Sequence, residues 1–259
     1  MKALKRILRS LFHPLATRFG YQRIATGPGT SGAAHEHHKD TLLRTFYSVL
    51  RNAGFEPKHI VDVGANHGSW TRVALTMFPQ AQFTMLEPQA WLQPSFQDLL
   101  DSNPLIRYFP IGAGKNNGTF LLTIAKRDDS STFRLTTEEA ETSGLVQKEI
   151  PVETLNALVA TNALPIPDMV KIDAEGMDLE VLEGASDFFG ITEVFLVEAG
   201  INNKSFRNTA LEVIRYMDGK GYRLFDLTDL NRPWSSKVLW LVEMAFVRKG
   251  GKLDSIVWN

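Results

Sequence analysis

Four acidic residues, Asp62, Glu87, Asp173 and Glu198, sit within or at the end of short β-branched and apolar runs. Such runs read as strands of a parallel sheet, and open α/β folds hold ligands at the carboxyl ends of those strands. Carboxylates there can accept from a diol, hold a cation, or take a proton from an acceptor. The chemistry is organised by Ile60-Val61-Asp62-Val63-Gly64-Ala65-Asn66-His67-Gly68. Its glycines let the backbone turn and approach a ligand where a Cβ would collide. Glu87 follows Gly64 by about 23 residues, the distance at which a second parallel strand delivers an acid to a ribose diol. The pair predicts a cradle for a nucleotide-like cofactor. His67, with a pKa suited to proton transfer, stands in the same turn.

Several elements must position these groups. Ser69 is expected to cap a helix carrying Trp70, Val73, Ala74 and Met77, so that free amides face the turn. A helix over Leu42 to Leu50, ended by Gly54, precedes the first strand. The sequence then predicts a helix over 90–100, a strand from Ile106 to Ile111, and the loop Gly112 to Gly118. That loop lacks the Gly-Lys-Ser/Thr ending of a phosphate loop. Phe120–Ile124 and Gln147–Val152 read as strands around polar Asp128–Gly144, and the insertion 115–150 is expected to cover a substrate. Further on come a helix over 154–164, a strand from Met169 to Asp173, and a helix opened by Asp173-Ala174-Glu175-Gly176. Val194–Val197 is the next strand, followed by a helix capped by Ser205 and by strands Tyr222–Leu227 and Met244–Val247. Strand and helix alternation implies a parallel doubly wound sheet, with the last two strands as an antiparallel edge.

The chain has 259 residues, 44% of them hydrophobic, and no cysteine. That is enough for one large domain, and it excludes disulfides, thiolate zinc sites and a cysteine nucleophile. Absent cysteines suit a cytoplasmic protein. No apolar run reaches membrane-spanning length. A net charge of −1 gives no reason to expect nucleic acid as a partner. Lys2, Lys5, Arg6, Arg9, Arg18 and Arg23 nevertheless leave the first 35 residues at +6. Residues 1–14 read as a basic amphipathic helix facing its own domain, a second subunit in a homodimer, a partner protein, or an anionic membrane surface. A linker near 26–32 divides this extension, 1–34, from the domain at 35–259. His35-Glu36-His37-His38 reads as a solvated helix start rather than a metal site.

Three stretches carry a family resemblance. Val61 to Gly68, Leu86-Glu87-Pro88 and above all Val170-Lys171-Ile172-Asp173-Ala174-Glu175-Gly176-Met177-Asp178-Leu179-Glu180-Val181-Leu182-Glu183-Gly184-Ala185 resemble the FkbM family of S-adenosylmethionine-dependent methyltransferases, over roughly residues 35–250. The resemblance implies the Rossmann-like class I fold, with seven mostly parallel strands and helices on both faces. It also implies S-adenosylmethionine as donor and a hydroxyl on a sugar, polyketide or other secondary metabolite as acceptor. Asp178 stands where such families carry glutamate.

The expected roles follow from that donor. Gly64, Ala65, Asn66 and Gly68 approach its methionine part and ribose, and Glu87 accepts from both ribose hydroxyls. Pro88, Gln89, Gly112 and Ala113 flank the base, unless the two at 112 and 113 serve only the turn. Asp62 either contacts the ammonium or anchors the turn. Asp173 is the first candidate for general base or acceptor-positioning group, followed by Glu175, Glu198 and His67. Glu175 could instead stabilise its helix start, and Lys171 could pair with a neighbouring acid. Asp173 and Glu198 could also share a divalent metal. An NAD-dependent oxidoreductase would use Glu87 equally well, although the turn lacks the full G-x-G-x-x-G pattern. A non-catalytic scaffold recruited through the basic helix is the third reading.

Overall fold

The computed structural model describes residues 40–202, 207–233 and 236–257. The basic helix, the linker and the histidine cluster at 35–38 lie outside them. In chain order the first elements are α1 (Thr41–Asn52), β1 (His59–Val63), α2 (Ser69–Met77), β2 (Gln82–Leu86), α3 (Gln97–Ser102) and β3 (Ile106–Phe109). Next come β4 (Gly112–Ala113), β5 (Gly118–Ile124), α4 (Thr137–Thr142), β6 (Val146–Glu153), α5 (Leu155–Thr161) and β7 (Met169–Ile172). The chain continues with α6 (Asp178–Glu183), β8 (Val194–Gly200), α7 (Ala210–Gly219), β9 (Tyr222–Asn231) and β10 (Leu241–Arg248).

Seven strands form one sheet in the order β3-β2-β1-β7-β8-β10-β9. The first five are parallel, and β10 runs antiparallel between β8 and β9. Every residue of β1 and β7 is buried, as continuous Val/Ile runs covered on both faces require. Two apolar layers cover the sheet. One gathers Val61, Val63, Val170, Ile172 and Val181; the other gathers Phe46, Tyr47, Ile60, Phe83, Met85 and Phe96. Each fully buried side chain of this size contributes about 1.5–3 kcal/mol, which fixes the face each strand presents. The chain steps from β1 outward to β3, then returns to the other side of β1 with β7. That switch point opens a crevice at the carboxyl ends of β1, β2 and β7.

Local corrections have physical causes. The strand expected over 106–111 breaks at Pro110, which has no N–H for the ladder. Gly112–Ala113 instead joins a second, three-stranded sheet in the order β4-β6-β5. The helix expected over 90–100 is a 3-10 turn, Ala90–Ser95, containing Pro94, followed by α3. Ser69 is the first residue of α2, and the cap position is Gly68 in the left-handed region. The helix expected to open at Asp173 begins at Asp178, because Glu175 and Gly176 have φ of 50° and 93°, incompatible with a right-handed turn. The cap of α7 is Thr209, which accepts from Glu212 N; Ser205 lies outside the described residues. The polar segment holds an unpredicted helix, α4, started by a reciprocal Thr136–Glu139 capping box.

Candidate active site

β1 ends in a turn whose φ values are 74° at Gly64, 48° at Asn66 and 72° at Gly68. A Cβ on Gly64 would stand 2.0 Å from the Asp173 carbonyl oxygen, so the position demands glycine by contact as well as by φ. Gly64 N and Ala65 N both donate to Leu86 O, at 2.9 and 3.0 Å, which ties the turn to the end of β2. Glu87 follows, only 3% exposed. Its Oε2 accepts from Asn66 N at 2.8 Å. Its Oε1 accepts from Gln89 N at 2.9 Å and from Gln89 Nε2 at 3.3 Å. Burial pushes the Glu87 pKa up, and these donors only partly offset it.

The residues at 171–178 brace this turn from below. Lys171 is buried, its Nζ donating to Gly64 O at 3.0 Å and standing 3.2 Å from Asp62 Oδ1 and 3.7 Å from Asp173 Oδ2. Burial alone would lower its pKa, but the surrounding carboxylates of Asp62, Asp173 and Glu243 raise it, so the ammonium stays charged. Asp62 is fully buried and also accepts from Thr71 Oγ1 at 2.6 Å. Asp178, likewise buried, accepts from Ala174 N, Gly176 N and Asn208 Nδ2 at 3.0, 3.2 and 2.6 Å, which shapes the 173–177 loop. Burial pushes its pKa up to about 7.

Above the brace lies a cleft of about 610 Å³, counting its open mouth. Of the expected site residues, Gly64, Asn66, Glu87, Pro88, Gln89, Gly112, Ala113, Asp173 and Glu175 line it. Asp173 Oδ1 is buried there without a hydrogen-bond partner among the described residues. Ala65, Gly68 and Asp62 stand behind this wall, in the turn and its support. His67 points toward the insertion, with Nε2 3.0 Å from Asp128 Oδ2 and Nδ1 2.8 Å from Ser95 Oγ. Glu198 lies within β8 opposite Glu243 of β10, outside the cleft wall. Among the described residues no three His, Asp or Glu side chains are grouped to hold a metal ion.

Sequence reasoning missed Asp128, Asp129, Ser131 and Phe133, which the insertion contributes to the cleft. The available signal was Gln89: an amide directly after a site acid needs partners when buried, and it finds them at Asp128 O (2.7 Å) and Ser131 Oγ (3.0 Å).

This strand order, with a glycine turn after β1 and an acid after β2, defines a Rossmann-like α/β fold. The model of the methyltransferase FkbM domain matches residues 62–224, and the chain belongs to that family. No curated protein sequence matches it. Similar solved structures include the precorrin-6y C5,15-methyltransferase of Geobacter metallireducens GS-15, at 14% identity and a TM-score of 0.46, covering 90% of this chain and 98% of that one. Magnesium protoporphyrin IX methyltransferase of Synechocystis PCC 6803, solved with S-adenosylmethionine, gives 12% and 0.46, over 95% and 97% of the two chains. The 1,6-didemethyltoxoflavin-N1-methyltransferase of Burkholderia thailandensis, solved with 1,6-didemethyltoxoflavin and S-adenosylhomocysteine, gives 11% and 0.44, over 96% and 88%. Among the described residues, no helix is long and apolar enough to cross a membrane.

Proposed function

We propose that the cleft binds S-adenosylmethionine and that the protein methylates a hydroxyl of a small molecule, such as a sugar, polyketide or other secondary metabolite. The observation that carries the donor assignment is Glu87: a buried carboxylate closing β2, clamped by Asn66 N and Gln89 N and lining the same cleft as the Gly64 turn. A donor with a ribose and an adenine but no phosphate fits these walls. The turn Gly64-Ala65-Asn66-His67-Gly68 lacks the full G-x-G-x-x-G pattern that cradles a dinucleotide's pyrophosphate, which weighs against the oxidoreductase reading.

When bound, the donor supplies a methyl group activated by its sulfonium. The chain's own contribution is placement and proton removal. Glu87 accepts from the ribose, while the backbone at Gly64 and Asn66 admits the methionine part. Pro88, Gln89, Gly112 and Ala113 enclose the base. Asp173 Oδ1, buried in the cleft wall without a partner, is the acceptor offered to a substrate hydroxyl and leads Glu175 as base. Glu198 and His67 stand outside the wall and rank behind both. Lys171 Nζ, 3.7 Å from Asp173 Oδ2, orients that carboxylate.

Calorimetry with S-adenosylhomocysteine tests the donor site. Wild type should bind, and Glu87→Ala should bind about tenfold to hundredfold more weakly, as loss of hydrogen bonds to a charged group implies. Equal affinity in both would end the assignment. A screen of hydroxylated acceptors for S-adenosylhomocysteine release, repeated with Asp173→Asn, then tests the hydroxyl chemistry.

A further inference from the structure

The amide of Gln89 is fully engaged. It is 3% exposed. Nε2 donates to Glu87 Oε1 at 3.3 Å and to Asp128 O at 2.7 Å, while Oε1 accepts from Ser131 Oγ at 3.0 Å. Those partners fix which end is nitrogen, because only N–H can face a carboxylate and a carbonyl. Each carboxylate oxygen offers about two acceptor positions. Glu87 Oε1 already has two donors, Gln89 N and Nε2, whereas Oε2 has one, Asn66 N. A diol gripping both oxygens therefore finds room on Oε2 and none on Oε1. The longer bond, from Gln89 Nε2, is the one that must yield.

Release of that bond leaves the amide to the other side of the cleft. Asp128 to Phe133 is a strap with three further attachments. Asp128 Oδ2 meets His67 Nε2 at 3.0 Å. Thr132 exchanges backbone hydrogen bonds with Thr123, at 2.9 and 3.1 Å. Thr132 Oγ1 donates to Glu175 O at 3.1 Å, in the loop where Glu175 and Gly176 take positive φ. One chain of contacts thus joins the acid at the donor ribose to the loop beside Asp173.

We infer that Gln89 is a positioning residue that reports occupancy of the donor ribose site to the strap at 128–133 and, through Thr132, to the loop carrying Glu175. The acceptor side of the cleft is then set only after the donor is in place, which imposes an order of binding. This rests on the assignment of Glu87 to the donor ribose.

Hydrogen exchange of the full chain with and without saturating S-adenosylhomocysteine tests it, on wild type, Gln89→Met and Ser131→Ala. In wild type the ligand should slow exchange at 126–135 and 173–177 at least tenfold. In Gln89→Met, isosteric but unable to make the three bonds, the ligand-dependent slowing should fall below threefold. Ser131→Ala removes one of the amide's two strap contacts, together with the bond from Ala125 N to Ser131 Oγ, and should lose at least threefold of the slowing, so it carries the test should Gln89→Met fail to fold. A purely structural Gln89 would change exchange equally with and without ligand. Ligand binding with no slowing in wild type, or full slowing in both variants, would overturn the inference alone. Absence of binding by wild type would overturn the donor assignment and this inference together.

Discussion

The block at 170–185 and the insertion at 115–150 divide the work of the cleft in opposite ways. The block carries the residues by which the family is recognised, yet most of its distinctive side chains face the interior. Lys171 props Gly64 O, Asp178 shapes the loop before α6, and a Cβ on Gly184 would stand 2.1 Å from Gly114 O. The insertion carries no motif, yet Asp128, Asp129, Ser131 and Phe133 line the cleft. Close packing admits few residue types and so writes a recognisable pattern. A wall that only has to suit one ligand leaves a pattern peculiar to that ligand.

If this division is right, damage to the block should cost the whole fold. Lys171→Met leaves Asp62 buried without its cation, which costs about 3–5 kcal/mol for a broken buried pair. Chemical denaturation should show a cooperative shift of that size. A loss below about 1 kcal/mol would mean that the brace is not holding the turn, and the contrast between the regions would collapse.

A smaller effect should appear with pH. Burial pushes Asp178 and Glu243 up to about 7. In the folded chain they hold protons at pH values where the unfolded chain has released them. The stability they confer is therefore fully present below the unfolded carboxylate range, near pH 4, and is lost as pH rises toward 7. Glu243 lies beyond the cleft and accepts from Thr228 Oγ1 at 2.6 Å, a bond that a glutamine oxygen can keep. Glu243→Gln should flatten the fall in stability between pH 5 and 7 by up to about 1.4 kcal/mol per pH unit, the worth of one proton. Denaturation midpoints at three pH values decide it, and an unchanged slope would remove Glu243 from the titrating core.

The architecture was legible because strands buried on both faces have no choice of composition. β7 and β8 appear within three residues of their expected bounds, and β1 and β2 end directly before Gly64 and Glu87. The acid at Glu87 was legible for a related reason: its distance from the glycine turn is set by one βα unit. Less could be read where backbone geometry depends on a neighbour. Glu175 takes positive φ in a loop where Asp178 accepts from Ala174 N and Gly176 N, a constraint invisible in a run that otherwise reads as helix. Likewise Gly112 leaves the main sheet because Pro110 interrupts the ladder, and its pairing with Val152 lies 40 residues away in sequence. Asp128 reaches the cleft through Gln89, a contact no periodicity announces.

The smallest effect separates the regions from the other side. Within the insertion, α4 is held by local chemistry. Thr136 Oγ1 accepts from Glu139 N at 3.3 Å while Glu139 Oε2 accepts from Thr136 N at 2.9 Å, with Thr136 exposed and Glu139 half-buried. Thr136→Ala removes the cap, at a cost of about 1 kcal/mol. Because α4 buries little beyond Ala140, that cost should appear as local opening: amides over 137–145 should exchange about fivefold faster, as about 1 kcal/mol implies. The global denaturation midpoint should stay within about 0.5 kcal/mol of wild type. A global loss equal to the local one would show that the insertion folds as one unit with the sheet, and its place as a separately adjustable wall of the cleft would have to be given up.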